Sequence, residues 1–296
     1  MSYFHNCHWR IIKGTNMCVF CQRADTNREE LERIFMNTIN NADVVKEQYR
    51  NAGNLTTRIS IHSKYSTNKM GFGNWIVSNY CIKPGMRILE LGCGTGDMWK
   101  DHLNLLNEAS EVILTDFSEG MLKTTKDTLG KLKNITYKVV DIQEIPFEDE
   151  SFDIVIANMM LYHVPELEKG LSEVKRVLKH DGVFYCATYG EHGIVEYIAD
   201  LLKDYGVKES VNKNFTLQNG KEKLEKYFPL VHQFDYNDAL EVTEIEDIVD
   251  YVYSLSSMTN MKNVKRETIT QILASKQVNG ILHVPKEYGM FVCKNE

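Results

Sequence analysis

The sequence has no hydrophobic run that approaches the roughly 18 residues needed to cross a membrane. Its first ten residues, MSYFHNCHWR, lack the apolar core of a signal peptide. We therefore expect a cytoplasmic protein with no membrane partner. Internal repeats and low-complexity segments are also absent, and a composition of 43% hydrophobic and 25% charged residues excludes disordered and fibrous architectures.

An excess of positive charge is lacking as well, since the formal net charge is −7. A polyanion would be repelled unless basic side chains gathered on one face, so nucleic acid is not favoured as a partner. The seven cysteines are an odd number, and some lie in apolar, strand-like contexts such as Val183 to Ala187. A disulfide framework is therefore not expected.

Short β-branched runs alternate with amphipathic stretches from about residue 85, which predicts an α/β fold with a mostly parallel sheet covered by helices. Strand-like segments flank the helical stretch Glu244 to Leu255 and suit a final antiparallel pair. A helix is predicted over Glu166 to Lys179, with a turn at Asp181-Gly182. The predicted strands are Met86 to Leu91, Val112 to Thr115, Ile135 to Val140, Phe152 to Ala157, Gly182 to Thr188, Val231 to Tyr236 and Met290 to Cys293.

Two regions outside this alternation divide the chain. Residues 27–80, with an amphipathic helix around Leu31 to Met36, are predicted to form a helical lid that covers the substrate, after a Cys/His-containing extension over residues 1–26. Residues 81–296 form the core. Within the core, residues from about 190 to 229 are predicted to be a cap insertion between strands 5 and 6, because insertions over the carboxyl ends of strands often form lids.

A glycine-rich turn follows the first strand of the core. Arg87-Ile-Leu-Glu-Leu-Gly-Cys-Gly-Thr-Gly96 runs from the strand into this turn, and a helix is predicted from Asp97. Glycine is needed where the backbone takes positive φ or touches a ligand, and the turn presents N–H groups to a carboxylate. Glu90, at the strand end, can accept a hydrogen bond from an ammonium group.

The segment Glu-Leu-Gly-Cys-Gly-Thr-Gly resembles motif I of class I S-adenosylmethionine-dependent methyltransferases. A dinucleotide-binding fingerprint would place a glycine at position 97, where this chain has Asp97, so nicotinamide binding is a minor alternative. Further matches, which cover roughly residues 85 to 190, include the stretches at 115–122 and 145–165. The resemblance implies a Rossmann-like, seven-stranded sheet whose last strand is antiparallel, and S-adenosyl-L-methionine as cofactor.

The resemblance also implies which residues hold the cofactor. Asp116, twenty-four residues after Gly92, would accept hydrogen bonds from the ribose hydroxyls, and Asp141 would accept from the adenine amine. Asn158 would lie near the methionine part, and Ser118 would cap the next helix. The full predicted cofactor set is Glu90, Gly92, Cys93, Gly94, Gly96, Asp116, Phe117, Met121, Asp141, Ile142 and Asn158.

Methyl transfer from a sulfonium is an in-line displacement with a good leaving group, so the protein mainly aligns the reactants in a dry pocket. A base helps when the nucleophile is a hydroxyl, a phenol or an activated carbon. His163, after the fourth strand, is the first candidate for that base, and packing on the cofactor loop is its alternative role. The predicted catalytic set also includes Tyr162 and His62. The alternative role for Tyr162 is to shape the pocket only, and His62 lies in the predicted lid.

Four further residues are predicted to contact the substrate. Arg58 and Tyr65 lie in the polar, aromatic-dotted part of the lid, where a solvated surface is the alternative. Tyr189 and His192 follow the fifth strand and face the same opening in the expected topology. Because these segments contain no recognised motif, the sequence does not identify the acceptor.

The N-terminal extension contains His5, Cys7 and His8, followed by the pair Cys18 and Cys21. These residues supply enough ligands for a tetrahedral zinc site. Cys7 and His8 are adjacent, however, which makes simultaneous coordination awkward. A packed extension with incidental thiols is therefore favoured, and no metal is predicted.

Three functions stay open at this point. The core and the chain ending most resemble methyltransferases that act on small molecules, of the quinone-precursor and natural-product type. An RNA or DNA methyltransferase is opposed by the net charge and by Asn158-Met-Met-Leu, which lacks the Pro-Pro-aromatic signature of amino-methylating nucleic-acid enzymes. A non-catalytic scaffold that binds S-adenosylmethionine is opposed by the intact motifs. A monomer and a homodimer are equally compatible with the sequence.

Overall fold

The computed structural model describes two N-terminal strands, β1 (Trp9–Ile12) and β2 (Thr15–Cys18), and residues 60–255, 258–261 and 264–295. β1 and β2 pair in antiparallel register. The predicted helix at Leu31 to Met36, Arg58, and the side chains of the candidate zinc ligands lie outside the described residues.

Residues 60–65 are helical and, after β1 and β2, precede the other described helices and strands of the chain. The helices are α1 (Phe72–Ser78), α2 (Leu103–Glu108), α3 (Glu119–Leu129), α4 (Leu167–Val177), α5 (Ile194–Leu201), α6 (Gly220–Glu225), α7 (Ile245–Ser254) and α8 (Arg266–Ala274). The strands are β3 (Arg87–Leu91), β4 (Glu111–Asp116), β5 (Ile135–Val139), β6 (Phe152–Ile156), β7 (Leu178–Tyr189), β8 (Lys208–Glu209), β9 (Leu230–Tyr236), β10 (Ala239–Val242), β11 (Met258–Thr259), β12 (Leu282–Pro285) and β13 (Tyr288–Lys294). Short 3-10 helices form at Leu161–His163 and Lys203–Tyr205.

Seven strands form the central sheet in the order β5-β4-β3-β6-β7-β13-β9. Strands β3 to β7 pair in parallel, whereas β13 runs antiparallel to both of its neighbours. This confirms the predicted seven-stranded, mostly parallel α/β sheet with an antiparallel last strand. The chain moves outward from β3 to β5 and then returns to β6 on the other side of β3. In open α/β sheets, ligands bind in the crevice at the carboxyl ends of the strands beside such a switch point.

The two faces of the sheet bury separate layers of side chains, as the continuous apolar runs of the parallel strands predict. Leu171 and Val174 of α4 pack on one face, together with Phe228. Ile76 of α1 and Leu106 of α2 pack on the other. Hydrophobic burial on both faces therefore fixes the strand ends, and with them the loops that carry the candidate site.

The entry into β7 differs from the prediction. The helix ends at Val177, and Leu178 pairs directly with Phe152. The next regular pair joins Val183 to Ile154, so the predicted turn at Asp181-Gly182 is instead a bulge inside a longer strand. The pairing partner of Leu178 lies far away in sequence, which is why local turn chemistry alone misplaced the start of the strand.

A third hydrophobic cluster lies beside the sheet. Its members come from helical residues 60–65, α5, β10, α7, α8 and β12, and we call this group of elements the cap. β10 pairs with β12 in antiparallel register. The predicted cap insertion over residues 190–229 thus contributes α5, whereas Phe215 and Phe228 of the same insertion pack on the sheet. The contribution of residues 239–285 was not predicted.

Helix α1 connects these two parts of the protein. Its buried residues Ile76 and Val77 pack on the sheet, and the backbone N–H of Thr67, which precedes the helix, donates a 2.9 Å hydrogen bond to the carbonyl of Ala239 in the cap. Over the described parts of the chain, no helix combines the length and the apolar character needed to span a membrane.

Candidate functional site

The glycine turn after β3 is the centre of the site. Gly92, Gly94 and Gly96 have φ of +74°, +59° and +76°, in the region that favours glycine. A Cβ on Gly92 would lie 2.9 Å from Cγ of Met160, and one on Gly96 would lie 2.8 Å from Cγ2 of Thr125. A Cβ on Gly94 has no described neighbour within 4 Å. Two of the glycines therefore permit close packing of the protein, and the third leaves space above the turn.

Asp116 ends β4 next to this turn, as predicted. Its Oδ2 accepts a hydrogen bond of 3.0 Å from the backbone N–H of Gly94, and its Oδ1 accepts one of 2.8 Å from that of Ser118. Burial raises the pKa of Asp116, and the backbone donors oppose this rise. The carboxylate is thus held in place with its two oxygens presented side by side, as two ribose hydroxyls would require.

Glu90 lies one residue before the end of β3 and is only 3% exposed. The indole Nε1–H of Trp99 donates a 2.6 Å hydrogen bond to Oε2 of Glu90. Burial raises the pKa of Glu90 to about 7, the bond from Trp99 lowers it, and the charge of Asp116 raises it further. An ammonium group placed here would restore the ionised form of Glu90.

Asn158 follows β6 and faces the same region. Its Nδ2 donates a 2.6 Å hydrogen bond to the hydroxyl of Tyr80 and lies 3.6 Å from the sulfur of Met98. Its Oδ1 is buried and has no hydrogen-bond partner among the described residues. A buried acceptor without a donor is costly, so this atom suits a ligand that brings an N–H or O–H group.

The predicted adenine end lies on the other side of Asp116. Phe117 is 36% exposed although it is large and apolar. Ser118 caps α3 by accepting a hydrogen bond from the backbone N–H of Met121, which confirms the predicted cap. Oδ1 of Asp141 accepts a 2.8 Å bond from the backbone N–H of Gln143. The exposed ring and the fixed carboxylate fit an aromatic base with an exocyclic amine.

Cys93 and Ile142 complete the predicted cofactor set. The backbone N–H of Cys93 donates a 2.8 Å bond to the carbonyl of Thr115, and burial raises the pKa of its thiol. Ile142 lies in the loop after β5 and is buried against the cluster that contains α4. Neither residue offers a charged group.

His163 and Tyr162 lie in the 3-10 helix after β6, with their ring centroids 4.5 Å apart. Burial lowers the pKa of His163 to about 4. The ring of Tyr189 lies 4.6 Å from that of Tyr162, and its hydroxyl donates a 2.8 Å bond to the carbonyl of Asn212. Three of the predicted catalytic and substrate residues therefore meet at one point of the carboxyl edge.

The other predicted residues are spread more widely. His62 belongs to the helical residues 60–65, and burial together with the charge of Lys286 lowers its pKa to about 4. Tyr65 packs in the cap, and its hydroxyl donates a 2.5 Å bond to Asp247. The His192 side chain is 63% exposed and lies 3.1 Å from Glu196. The roles of these residues stay predictions.

Tyr80 and Trp99 are site residues that the sequence analysis missed. The helix predicted from Asp97 is instead a series of turns, in which Trp99 N–H bonds to Gly96 and His102 N–H bonds to Trp99, and α2 begins only at Leu103. These turns direct the indole back to Glu90. The only signal for Trp99 in the sequence was a bulky N–H donor nine residues after the predicted buried acid Glu90.

In the part of the chain that the structure describes, no three His, Cys, Asp or Glu side chains form a group that could hold a metal ion. His5, Cys7, His8 and Cys21 lie outside those residues, and Cys18 is described only as part of β2. The N-terminal zinc alternative therefore stays untested.

Replacement of Trp99 with phenylalanine is expected to lower the free energy of unfolding by about 1–3 kcal/mol, because the buried Glu90 carboxylate loses its indole donor. The loss should be larger at pH 8 than at pH 5, where Glu90 is protonated. Urea denaturation at both pH values measures it, with Trp75→Phe as the control for the smaller ring. Equal stability of the two variants at both pH values would contradict the assigned role of Trp99.

Comparisons with known proteins agree with this geometry. Residues 89–186 match the family described as "Methyltransferase domain". The chain is 31% identical over 160 residues to a demethylmenaquinone methyltransferase from Staphylococcus aureus (strain MRSA252), which is 54% of this chain and 60% of that relative. The match thus spans about six tenths of the length of the curated relatives, so their whole activity does not transfer directly.

Two solved structures share the fold. A putative methyltransferase from Bacillus halodurans C-125 is 17% identical, with a TM-score of 0.53, and the alignment covers 76% of this chain and 98% of that one. A putative methyltransferase from an antibiotic biosynthesis pathway of Anabaena variabilis is 16% identical, with a TM-score of 0.53 and coverage of 75% and 96%. At these identities the likeness establishes the Rossmann-like fold alone.

Proposed function

We propose that this chain, which carries a Rossmann-like domain of the methyltransferase family over residues 89–186, transfers a methyl group from S-adenosylmethionine to a small-molecule acceptor. The observation that carries the proposal is the arrangement of Asp116 beside the open turn at Gly94, with Glu90 on the next strand. These residues occupy the carboxyl edge at the switch point of the sheet.

Each part of the cofactor has a matching group. Asp116 would hold the ribose, and Phe117 and Asp141 would hold the adenine. Glu90 and Asn158 would bind the ammonium end of the methionine part, because one is a buried acid and the other has a buried oxygen without a donor. This set fits S-adenosylmethionine better than a nicotinamide dinucleotide, for which the turn has Asp97 in place of a glycine.

When bound, S-adenosylmethionine supplies a methyl group on a positively charged sulfur. The protein's task is then to hold an acceptor in line with that bond and to exclude water. Tyr162, His163 and Tyr189, which lie after β6 and at the end of β7, would do this. His163 has a lowered pKa of about 4, so its imidazole is neutral near pH 7 and able to accept a hydrogen bond from the acceptor, although it is a weak base.

Two observations support a proposal for the acceptor class. The Staphylococcus aureus relative is named for demethylmenaquinone, a quinone. We extend this to a phenol-like or quinone-like acceptor here, because aromatic side chains dominate this end of the sheet. A cytoplasmic location and a monomer or homodimer remain predictions from the sequence. Methyl transfer to nucleic acid and scaffolding without turnover remain the alternatives that the sequence disfavours.

A transfer assay tests the proposed function. Purified protein is incubated with methyl-labelled S-adenosylmethionine and a panel of phenols, naphthoquinols and amines, and label in the organic phase is counted. We expect transfer to at least one ring acceptor and none to amines. Cofactor binding without transfer to any acceptor would support the scaffold alternative, and transfer to added RNA or DNA would support the nucleic-acid alternative.

Cofactor affinity is expected to rise with pH. Glu90 has a pKa of about 7 in the folded protein, so it is largely neutral at pH 6 and ionised at pH 8. Only the ionised form pairs with an ammonium group, so the affinity should increase by up to about tenfold over this interval. Isothermal titration at pH 6, 7 and 8 measures it. Glu90→Gln should bind more weakly and without this dependence, and a flat wild-type profile would contradict the role of Glu90.

The raised pKa of Glu90 also predicts how the stability of the ligand-free protein changes with pH. The folded pKa of Glu90 lies above its ordinary value of 4.5, so its stabilising effect is complete below that pH and is lost as the pH rises through about 7. Urea denaturation should therefore show a decline in stability over this interval that Glu90→Gln lacks. A decline of equal size in both proteins would assign it to other groups.

A further inference from the structure

Four aromatic rings meet at the carboxyl edge of β9 and beside the start of β13. The Phe72 ring centroid lies 5.2 Å from that of Tyr236 and 5.2 Å from that of Tyr288, and Trp75 lies 5.2 Å from Tyr236. Tyr236 and Tyr288 are paired across the two strands. We call Phe72, Trp75, Tyr236 and Tyr288 the aromatic cluster.

The aromatic cluster adjoins the cofactor site. Tyr288 pairs with Tyr189 of β7, whose ring contacts Tyr162. Helix α1, which carries Phe72 and Trp75, also brings Gly73 against Met98, where an added Cβ would lie 3.9 Å from the Met98 side chain. Met98 in turn contacts Asn158. The aromatic cluster is therefore the next surface along the edge from the methionine end of the cofactor site.

His62 lies against this cluster. Its ring makes edge contacts with Tyr288 and Tyr251, each with a centroid distance of 6.1 Å. Its Nδ1 is buried and has no hydrogen-bond partner among the described residues, and its pKa of about 4 makes the imidazole neutral near pH 7. The residue as a whole is half-buried. A buried imidazole nitrogen without a partner among the described residues is suited to a hydrogen bond with a ligand.

Behind the rings lies a buried ion pair. Lys286 and Asp238 have side chains that are 3% and 0% exposed, and the ammonium group also donates a 2.9 Å bond to Ser66. The Lys286 ammonium lies 5.3 Å from the centroid of the Tyr288 ring. Because each charge is already paired within the protein, this wall offers no counter-charge to a charged acceptor.

We infer that the aromatic cluster with His62 is the acceptor subsite, and that it selects a planar aromatic acceptor whose neutral ring hydroxyl is hydrogen-bonded by His62. This inference rests on the proposed function and adds the residues that read the acceptor. The rings supply stacking and edge contacts, which favour a flat aromatic compound. The neutral imidazole supplies polarity without charge, and Lys286 is a positioning residue that holds the Tyr288 ring.

Two matched probes test this assignment: 2-naphthol, and 2-methoxynaphthalene, which cannot donate the hydrogen bond. Each is titrated calorimetrically into the full chain saturated with S-adenosylhomocysteine. We expect the wild type to bind 2-naphthol about tenfold more tightly. In His62→Leu the affinity for 2-naphthol should fall about tenfold, whereas the affinities for 2-methoxynaphthalene and S-adenosylhomocysteine stay unchanged. His232→Leu, at an exposed histidine of β9 outside the predicted site, is the control and should match the wild type.

A second variant keeps the test decisive if His62→Leu does not fold. Phe72→Leu should weaken both probes about equally, because it removes a ring and leaves the imidazole in place. Equal binding of the two probes by the wild type, or full 2-naphthol affinity in His62→Leu, would overturn the inference. Absence of probe binding with normal S-adenosylhomocysteine binding would also overturn it, and the proposed function would stand. Absence of S-adenosylhomocysteine binding would overturn both.

Discussion

Asp116→Ala is expected to weaken S-adenosylmethionine binding by about 100-fold or more. Two hydrogen bonds from hydroxyls to an ionised carboxylate contribute about 1.5–3 kcal/mol each, which together correspond to this loss. The variant also removes the acceptor of the Gly94 and Ser118 N–H groups, so the turn itself loses support. Isothermal titration measures the affinity directly.

The matched control for Asp116→Ala is Asp97→Ala. Asp97 follows the glycine turn beside Asp116, but its side chain is 50% exposed and makes only local contacts, a hydrogen bond from Thr95 and an ion pair with Lys100. Its removal should leave the affinity within about twofold of the wild type. A loss below about tenfold in Asp116→Ala, with a folded protein, would show that this carboxylate does not hold the ribose.

Gly94→Ala is expected to separate cofactor binding from folding. Gly94 has a φ of +59°, so alanine there costs about 1–2 kcal/mol of strain. A methyl group meets no described atom within 4 Å, however, so the fold should survive. The same methyl group would enter the space above the turn and should lower S-adenosylmethionine affinity by about 100-fold. Thermal unfolding and titration measure the two effects.

Alanine substitutions at two other glycines serve as comparisons for this prediction. Gly206→Ala has comparable strain at φ +75° and similarly open surroundings away from the site, so it should lose stability and keep full cofactor affinity. Gly96→Ala should be the least stable of the three, because its Cβ would press on Thr125 at 2.8 Å. If Gly94→Ala and Gly206→Ala bind the cofactor equally well, the open space at Gly94 is not part of the site.

The central sheet could be predicted because its signals are local. Each parallel strand is a short apolar run. The acids Glu90 and Asp116 lie at or next to the ends of two of these runs, so the sequence pattern that indicates the strands also indicates the acids. The parallel register then brings these strand ends together, with Glu90 opposite Leu114. Local pattern and fold therefore agree for the proposed cofactor residues.

The cap and the indole donor could not be predicted in the same way. Ala239 pairs with Pro285, and the buried Asp238–Lys286 ion pair depends on this contact between segments that are distant in sequence. Trp99 lies in a stretch whose pattern indicates a helix, yet its hydrogen bond to the buried Glu90 accompanies a series of turns. In both cases a buried polar interaction outweighs local propensity.

The central claim is tested most directly by one calorimetric titration of the purified chain with S-adenosylmethionine and, separately, with NADH. Saturable micromolar binding of S-adenosylmethionine, with no heat from NADH, is the result that this account predicts. Binding of NADH in place of S-adenosylmethionine, or no binding of S-adenosylmethionine across pH 6 to 8, would contradict the assignment of the Glu90–Gly94–Asp116 site.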